Sequence, residues 1–185
     1  MLWIVAEGLA RVTTERTARA MQVSQANPMV GLEGRTSLLQ NLSIALKASP
    51  EFFGPDARPG GLVDFLESQS VVNSDGTRSV PVAALWAALM DGLSPIWPRT
   101  RANLGGVSLG DVWPCDVLKP TAVFDGDELV PFHKLTGWTT YSLLEPLEKI
   151  LGWKFEGVED MTGLPEYRNG KAITSIVAWR NHLVA

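Results

Sequence analysis

The chain has 185 residues, a net charge of −4 and a pI near 5.2, with 45% hydrophobic and 19% charged residues. That length suits one domain with its own core, and the lack of a basic run excludes a non-specific nucleic-acid binder and disfavours anionic membranes. No segment reaches about 18 uninterrupted apolar residues, so we expect no membrane span. A single cysteine, Cys115, favours a reducing, cytoplasmic location. With only two histidines, we expect neither a metal centre nor another cofactor.

The first part of the chain alternates helical patterns with Pro/Gly turns. An amphipathic helix is predicted over residues 12–23, with Thr13 or Thr14 as its N-cap. Helical spacing returns over residues 35–49. Residues 51–61 predict a loop because they are rich in Pro and Gly.

The middle of the chain predicts two more helices before a long irregular stretch. Residues 61–69 form a short helical pattern, and residues 72–81 predict a polar turn. Residues 82–93 are apolar almost all round, which predicts a buried helix. Residues 94–120 are rich in Pro, Gly and Trp, and an irregular run of this length is typical of a binding loop.

The clearest helical pattern lies over residues 124–153, with Pro131 at its start, Pro146 as a kink or break and Gly152 as its end. The segment after Gly152 predicts a loop or a short strand, and periodicity leaves the structure after Gly170 open. The expected fold class is therefore mainly α, a helical scaffold with long Pro/Gly/Trp-rich loops and a few short strands.

The motif "VPFHKLTGW" places His133 and Lys134 in the first turn of a helix. Free N–H groups and positive potential at that end favour an anion such as phosphate, and Lys134 adds to this. The same potential lowers the pKa of His133 and keeps its imidazole neutral. The alternative is that His133 caps the helix or is half-buried, and that Lys134 is solvated.

The motif "GLPEYRNG" combines an acid, a phenol and a guanidinium. In an extended segment Glu166 and Arg168 share one face and Tyr167 points to the other. Glu166 can hold a water or stabilise a cationic transition state, and Arg168 can bind phosphate or position Glu166. The alternative is a local salt bridge in a turn.

The motif "GVSLGDVWPCD" places Asp111 beside Trp113, with Asp116 as a second acid. A carboxylate against an indole is a usual way to raise the pKa of an acid. The alternative is a turn-forming Asp111 after Gly110. The sequence contains no P-loop, no dinucleotide fingerprint and no nucleophile elbow, and the acids of "VFDGDE" lack the loop that would hold phosphoribosyl pyrophosphate.

Several runs, in this order, resemble the uracil catabolism protein 4 family of fungi and bacteria: "QVSQANPMVGLEGR", "PEFFGPDARPGGLVDFL", "LWAALMDGLSPIWPRTR", "GVSLGDVWPC", "LVPFHKLTGWTTYSLLEPL" and "KFEGVEDMTGLPEYRNG". Family members are longer. We therefore expect residues 1–170 to be a C-terminal portion of the family domain and residues 171–185 a divergent tail. The N-terminal half would come from another protein chain.

The resemblance implies a part in uracil breakdown, with hydrolysis of an N-ribosyl bond in a ribosylurea-like or nucleotide-derived small molecule. A faint similarity of "EYRN" and "HKLT" to helical N-glycosidases supports that reaction. Glu166 or Asp111 would be the catalytic carboxylate, and His133 or Tyr167 the donor to the leaving nitrogen. The ligand-binding residues would be Lys134 and Arg168 for phosphate, Trp113 for stacking, and Asn169.

Two other functions are compatible with the same sequence. The chain can be a non-catalytic binding or assembly module of the pathway. The name uracil phosphoribosyltransferase, which some family members carry, has no support from a motif in this chain.

Overall fold

Helices dominate the part of the chain that this computed structural model describes, residues 5–164. The α-helices are α1 (Ala6–Ala10), α2 (Thr14–Ala20), α3 (Leu32–Ala48), α4 (Pro50–Phe53), α5 (Gly61–Ser68), α6 (Val82–Gly92) and α7 (Lys134–Leu151). The strands are β1 (Val71–Val72), β2 (Arg78–Pro81), β3 (Asn103–Leu104), β4 (Val107–Ser108), β5 (Val112–Pro114), β6 (Leu129–Pro131) and β7 (Trp153–Glu156). One-turn 3₁₀ helices lie at Ser94–Ile96, Lys119–Thr121 and Val158–Asp160. A mainly α fold with a few short strands, as the sequence predicts, is confirmed.

The N-terminus of α2 confirms Thr13 as the N-cap, since its hydroxyl accepts a hydrogen bond from the backbone N–H of Arg16 at 3.3 Å. The helix ends at Ala20, three residues before the predicted end. Gln22 has a left-handed backbone with φ of 55°, and its carbonyl accepts a hydrogen bond from Asn27 Nδ2 at 3.0 Å. This local turn replaces the last helical turn.

The predicted loop at residues 51–61 overlaps the short helix α4. Pro50 occupies its first turn, where a missing backbone N–H removes no helical hydrogen bond. Phe53, in the same helix, is buried in the core at 3% exposure. The Pro and Gly content therefore marks the end of a short helix rather than a continuous loop.

Helix α6 forms the centre of the hydrophobic core, as its apolar sequence predicts. Leu85 and Ala88 are fully buried and pack with Leu46 of α3, Leu66 of α5 and Val80 of β2. Helix α7 packs on α6 as well. Helices α3, α5, α6 and α7 thus pack around one apolar centre.

The prediction of a polar turn over residues 72–81 is wrong for its second half. Only residues 73–77 turn, stabilised by Asp75 Oδ1, which accepts a hydrogen bond from the backbone N–H of Thr77 at 2.9 Å. Residues 78–81 form β2, the middle strand of a sheet with the order β1-β2-β7. Val80 lies opposite Phe155 in the parallel pair with β7. Because β7 is far from β2 in sequence, no pattern in the residues around β2 predicts this pairing.

The helix predicted over residues 124–153 begins later in the structure. Strand β6 ends at Pro131, and α7 starts at Lys134. Pro146 neither splits nor ends α7, which continues to Leu151. Its position is exposed, so water can bond the carbonyl that its missing N–H leaves without a donor. Gly152, with φ of 68°, ends the helix as predicted.

Candidate functional site

Strands β5 and β6 bring the end of the long irregular stretch to the start of α7. They pair antiparallel, with Val112 opposite Pro131. The backbone carbonyl of Asp111 accepts hydrogen bonds from the N–H groups of Phe132 at 3.0 Å and His133 at 3.2 Å. Asp111 and the first residues of α7 therefore lie side by side although 23 residues separate Asp111 from Lys134.

Each oxygen of the Asp111 carboxylate accepts a hydrogen bond from an N–H group. Oδ1 accepts from the indole Nε1 of Trp113 at 2.9 Å, and Oδ2 accepts from the backbone N–H of Lys134 at 2.9 Å. The side chain is buried at 3% exposure. An ionised carboxylate can accept a hydrogen bond on each of its oxygens. The positive N-terminal end of α7 also stabilises the negative charge of Asp111.

These contacts differ from the sequence-based expectation in two respects. The indole of Trp113 meets Asp111 through its N–H rather than through its apolar face. The first N–H of α7, which we expected to hold an external anion, binds the carboxylate of Asp111. Asp111 is therefore the capping anion of α7 and a wall of the adjacent pocket at the same time.

His133 is the N-cap residue of α7, with a left-handed backbone at φ of 45°. Its ring stands edge-to-face against Trp86, with centroids 6.1 Å apart. Nδ1 is buried and has no hydrogen-bond partner among residues 5–164. Burial lowers the pKa of His133, and the nearby charge of Asp111 opposes part of that shift. The direction agrees with the prediction, but the main cause is burial rather than the helix end.

An open pocket of about 430 Å³ lies over this region. It is lined by Asp111, Trp113 and Lys134, which the sequence predicts, and by Arg101, Phe132 and Trp138. Pockets of small-molecule sites have volumes of roughly 300–1,000 Å³ and combine apolar walls with a few polar groups. A carboxylate, two cationic side chains and aromatic rings can bind a polar ligand that carries an anionic group.

Arg101 is a pocket residue that the sequence reasoning missed. Its guanidinium carbon lies 4.0 Å from the ring centroid of Trp113 and 5.7 Å from that of Trp97. The run "WPRTR", an arginine near a tryptophan in a long irregular stretch, is the signal that could have indicated it. Trp97 also lies against the turn before Asp111, since a Cβ on Gly110 would be 3.1 Å from its Nε1.

Four predicted site residues, Glu166, Tyr167, Arg168 and Asn169, lie outside the described residues. The described chain ends at Leu164. Its side chain lies beside α7, since a Cβ on Gly137 would be 3.1 Å from Leu164 Cδ2. The Tyr141 hydroxyl donates a hydrogen bond to the carbonyl of Thr162 at 3.2 Å, which places this segment along the same helix.

The second acid of the irregular stretch, Asp116, is not part of the pocket. It forms an exposed ion pair with Lys119 at 2.6 Å, which lowers the pKa of its carboxyl group. Among residues 5–164, no three His, Cys, Asp or Glu side chains form a group that could hold a metal ion. The described helices include none with the length and apolarity needed to cross a membrane.

Comparison with known proteins confirms the family resemblance. The chain is 46% identical to the uracil catabolism protein 4 of Lachancea kluyveri over 166 residues, which are 88% of this chain and 37% of that protein. It is 35% identical to the protein urg3 of Schizosaccharomyces pombe over 164 residues, which are 89% of this chain and 36% of that protein. The chain thus spans little more than a third of the length of these curated relatives.

No solved structure matches the chain, so the likeness to helical N-glycosidases stays a prediction. The division of the chain at residue 170 also stays a prediction. The family model that matches is described as a protein of unknown function (DUF1688) and covers residues 2–176. Because the match includes nearly the whole sequence, the chain belongs to this family.

Proposed function

We propose that this chain takes part in uracil catabolism by binding a ribose- or nucleotide-derived intermediate and hydrolysing its N-ribosyl bond. The name of the Lachancea kluyveri relative supports the pathway. The observation that carries the reaction is the buried carboxylate of Asp111 at the wall of a pocket with cationic side chains. The chain covers only 37% of that relative's length. The proposed reaction is therefore a proposal for the whole protein as well as for this chain.

The reaction breaks the bond between the anomeric carbon and the leaving nitrogen. The nitrogen takes the bonding electrons and a proton, and water supplies hydroxide to the sugar. The transition state resembles an oxocarbenium ion, which a nearby carboxylate stabilises while it orients the attacking water. Asp111 or Glu166 serves as that carboxylate, and His133 or Tyr167 donates to the leaving nitrogen.

The remaining roles belong to ligand binding. Lys134 and Arg168 bind the 5′-phosphate, Asn169 adds a hydrogen bond, and Trp113 stacks on the base or its urea remnant. Two observations support the roles of Lys134 and Trp113: both residues line the same pocket, and Trp113 is 44% exposed. An aromatic side chain that is partly open to solvent can stack against a planar ligand.

The test measures urea release from ribosylurea and from its 5′-phosphate by the purified chain. The wild type should release urea and the sugar in equal amounts. Asp111→Asn or Glu166→Gln should reduce turnover by about 100-fold or more. Unfolding curves of each variant separate lost chemistry from lost folding. Full turnover in both folded variants would show that neither carboxylate acts in catalysis.

A second candidate is a non-catalytic assembly module. It is favoured by apolar side chains that are more than 60% exposed between residues 104 and 124, namely Leu104, Val107, Val117, Val123 and Phe124. The partner would be a chain that corresponds to the remaining part of the longer relatives. Co-elution with such a chain, without any thermal shift from ribose phosphates, would favour this function over hydrolysis.

A further inference from the structure

The guanidinium of Arg101 lies against two aromatic rings. Its carbon atom Cζ lies 4.0 Å from the centroid of Trp113 and 5.7 Å from that of Trp97. A guanidinium is planar, permanently charged and less strongly hydrated than an ammonium, so it stacks on aromatic faces while its N–H groups point outward. The two tryptophans therefore restrict the positions that the guanidinium of Arg101 can occupy.

One donor of this side chain has no protein partner in the described part of the chain. Nη1 of Arg101 is buried and makes no hydrogen bond within residues 5–164. A buried donor without a partner is costly, roughly 1–3 kcal/mol and more for a charged group, and such groups are rare in native proteins. A ligand that accepts from this nitrogen would remove that cost.

Trp113 links this cation to the buried carboxylate. Its ring face contacts Arg101, and its Nε1 donates to Asp111 Oδ1 at 2.9 Å. Arg101 and Asp111 line the same cavity. Trp113 thus contacts both the cationic group of Arg101 and the carboxylate of Asp111. A ligand with an anionic end and a reacting centre would require one group of each charge in the same pocket.

We propose that Arg101 is a further residue that binds the phosphate of a phosphomonoester ligand in this pocket, with Trp97 and Trp113 as positioning residues. The planar N–H fork of arginine matches the oxygens of a phosphate in a bidentate manner. The inference rests on the proposed function for the sugar part of the ligand. It adds a phosphate-binding residue from the irregular stretch, separate from Lys134 and Arg168.

The test measures binding of ribose 5-phosphate, inorganic phosphate and ribose by calorimetry. The wild type should bind ribose 5-phosphate, and Arg101→Gln should bind it about 10- to 100-fold more weakly, the loss expected for charge-assisted hydrogen bonds. Arg101→Lys should be weakened too, because a point charge replaces the fork. Arg99→Gln, two residues away and exposed, is the matched control and should bind like the wild type.

Ribose without phosphate should bind weakly and equally to the wild type and to Arg101→Gln. Unfolding midpoints without ligand show whether each variant is folded, and Arg101→Lys keeps the charge if Arg101→Gln does not fold. Affinity of a folded Arg101 variant within threefold of the wild type would overturn the inference. So would a wild type that binds neither ribose 5-phosphate nor inorganic phosphate.

The two proposals fail in different ways. Phosphate binding that depends on Arg101, without release of urea, would leave this inference standing and remove the hydrolytic function. Urea release that does not depend on Arg101 would leave the hydrolytic function standing and remove this inference.

Discussion

The backbone N–H of Lys134 donates a hydrogen bond to Oδ2 of Asp111 at 2.9 Å. This contact joins the end of the irregular stretch to the first turn of α7. The carboxylate stabilises the positive end of the helix before any ligand is present. Asp111 therefore has a structural role, and any catalytic role must be tested in a folded variant.

Replacement of Asp111 by Asn should reduce the free energy of unfolding. The amide of Asn presents an N–H group to one of two donors, Trp113 Nε1 or the Lys134 N–H. A buried donor that loses its acceptor costs roughly 1–3 kcal/mol. Urea denaturation of the wild type and the variant measures the difference.

Asp116→Asn is the matched control for that experiment. Asp116 lies five residues further along the chain, and its only role among the described contacts is an exposed ion pair with Lys119. Surface pairs of this kind contribute little to stability, so the variant should unfold like the wild type. Equal stability of the Asn variants at Asp111 and Asp116 would contradict the capping role of Asp111.

The left-handed backbone of His133 should make this position sensitive to the shape of the side chain. At φ of 45°, asparagine is tolerated, whereas a β-branched residue is strained by about 1–3 kcal/mol. We expect His133→Asn to stay close to the wild type and His133→Val to lower the free energy of unfolding. Thermal and urea unfolding of the pair check this order.

The lowered pKa of His133 should make stability fall on acidification. Burial disfavours the charged imidazole in the folded state, so the unfolded chain binds a proton more readily. Stability then rises with pH between the folded pKa and the unfolded value near 6.5, and it falls as pH drops through this window.

The measurement compares unfolding free energies of the wild type and His133→Asn from about pH 7.5 to pH 5. The variant lacks the titrating imidazole, so its stability should fall less over the pH window around and below 6.5. Parallel curves would show that His133 does not titrate differently in the two states.

The contact between α4 and α5 should make Gly61 intolerant of a side chain. A Cβ at Gly61 would overlap the backbone carbonyl of Phe53. We expect Gly61→Ala to lower the free energy of unfolding by about 3 kcal/mol, the upper end of the usual cost of overpacking. Circular dichroism during thermal unfolding measures the loss.

Gly34→Ala serves as the control in a helix. A Cβ at Gly34 in α3 would meet no atom within 4 Å, and the residue is exposed. Alanine should therefore stabilise the chain by about 0.5–1 kcal/mol through helix propensity. A destabilised Gly34→Ala variant would show that propensity does not decide stability in α3.

Several features of the fold that depend on local signals agree with the sequence. Capping by Thr13, the apolar pattern of α6 and the terminal Gly152 each act within a few residues, and each is confirmed. The predicted candidates Asp111, Trp113 and Lys134 also line one pocket. They lie in the motifs "GVSLGDVWPCD" and "VPFHKLTGW", whose acidic, aromatic and basic side chains indicate a binding site.

Contacts between distant segments decided the rest. The parallel pairing of β2 with β7 depends on residues far apart in sequence, so a segment that looks like a turn became a central strand. The contacts of Arg101 with Trp97 and Trp113 depend on how the irregular stretch folds back on itself. Local patterns account for the presence of α2, α3, α5, α6 and α7, for the cap of α2 and the end of α7, and for the pocket residues Asp111, Trp113 and Lys134. Which of these groups meet depends on the tertiary structure, because hydrogen bonds and ring contacts between distant residues leave no periodic pattern in the chain.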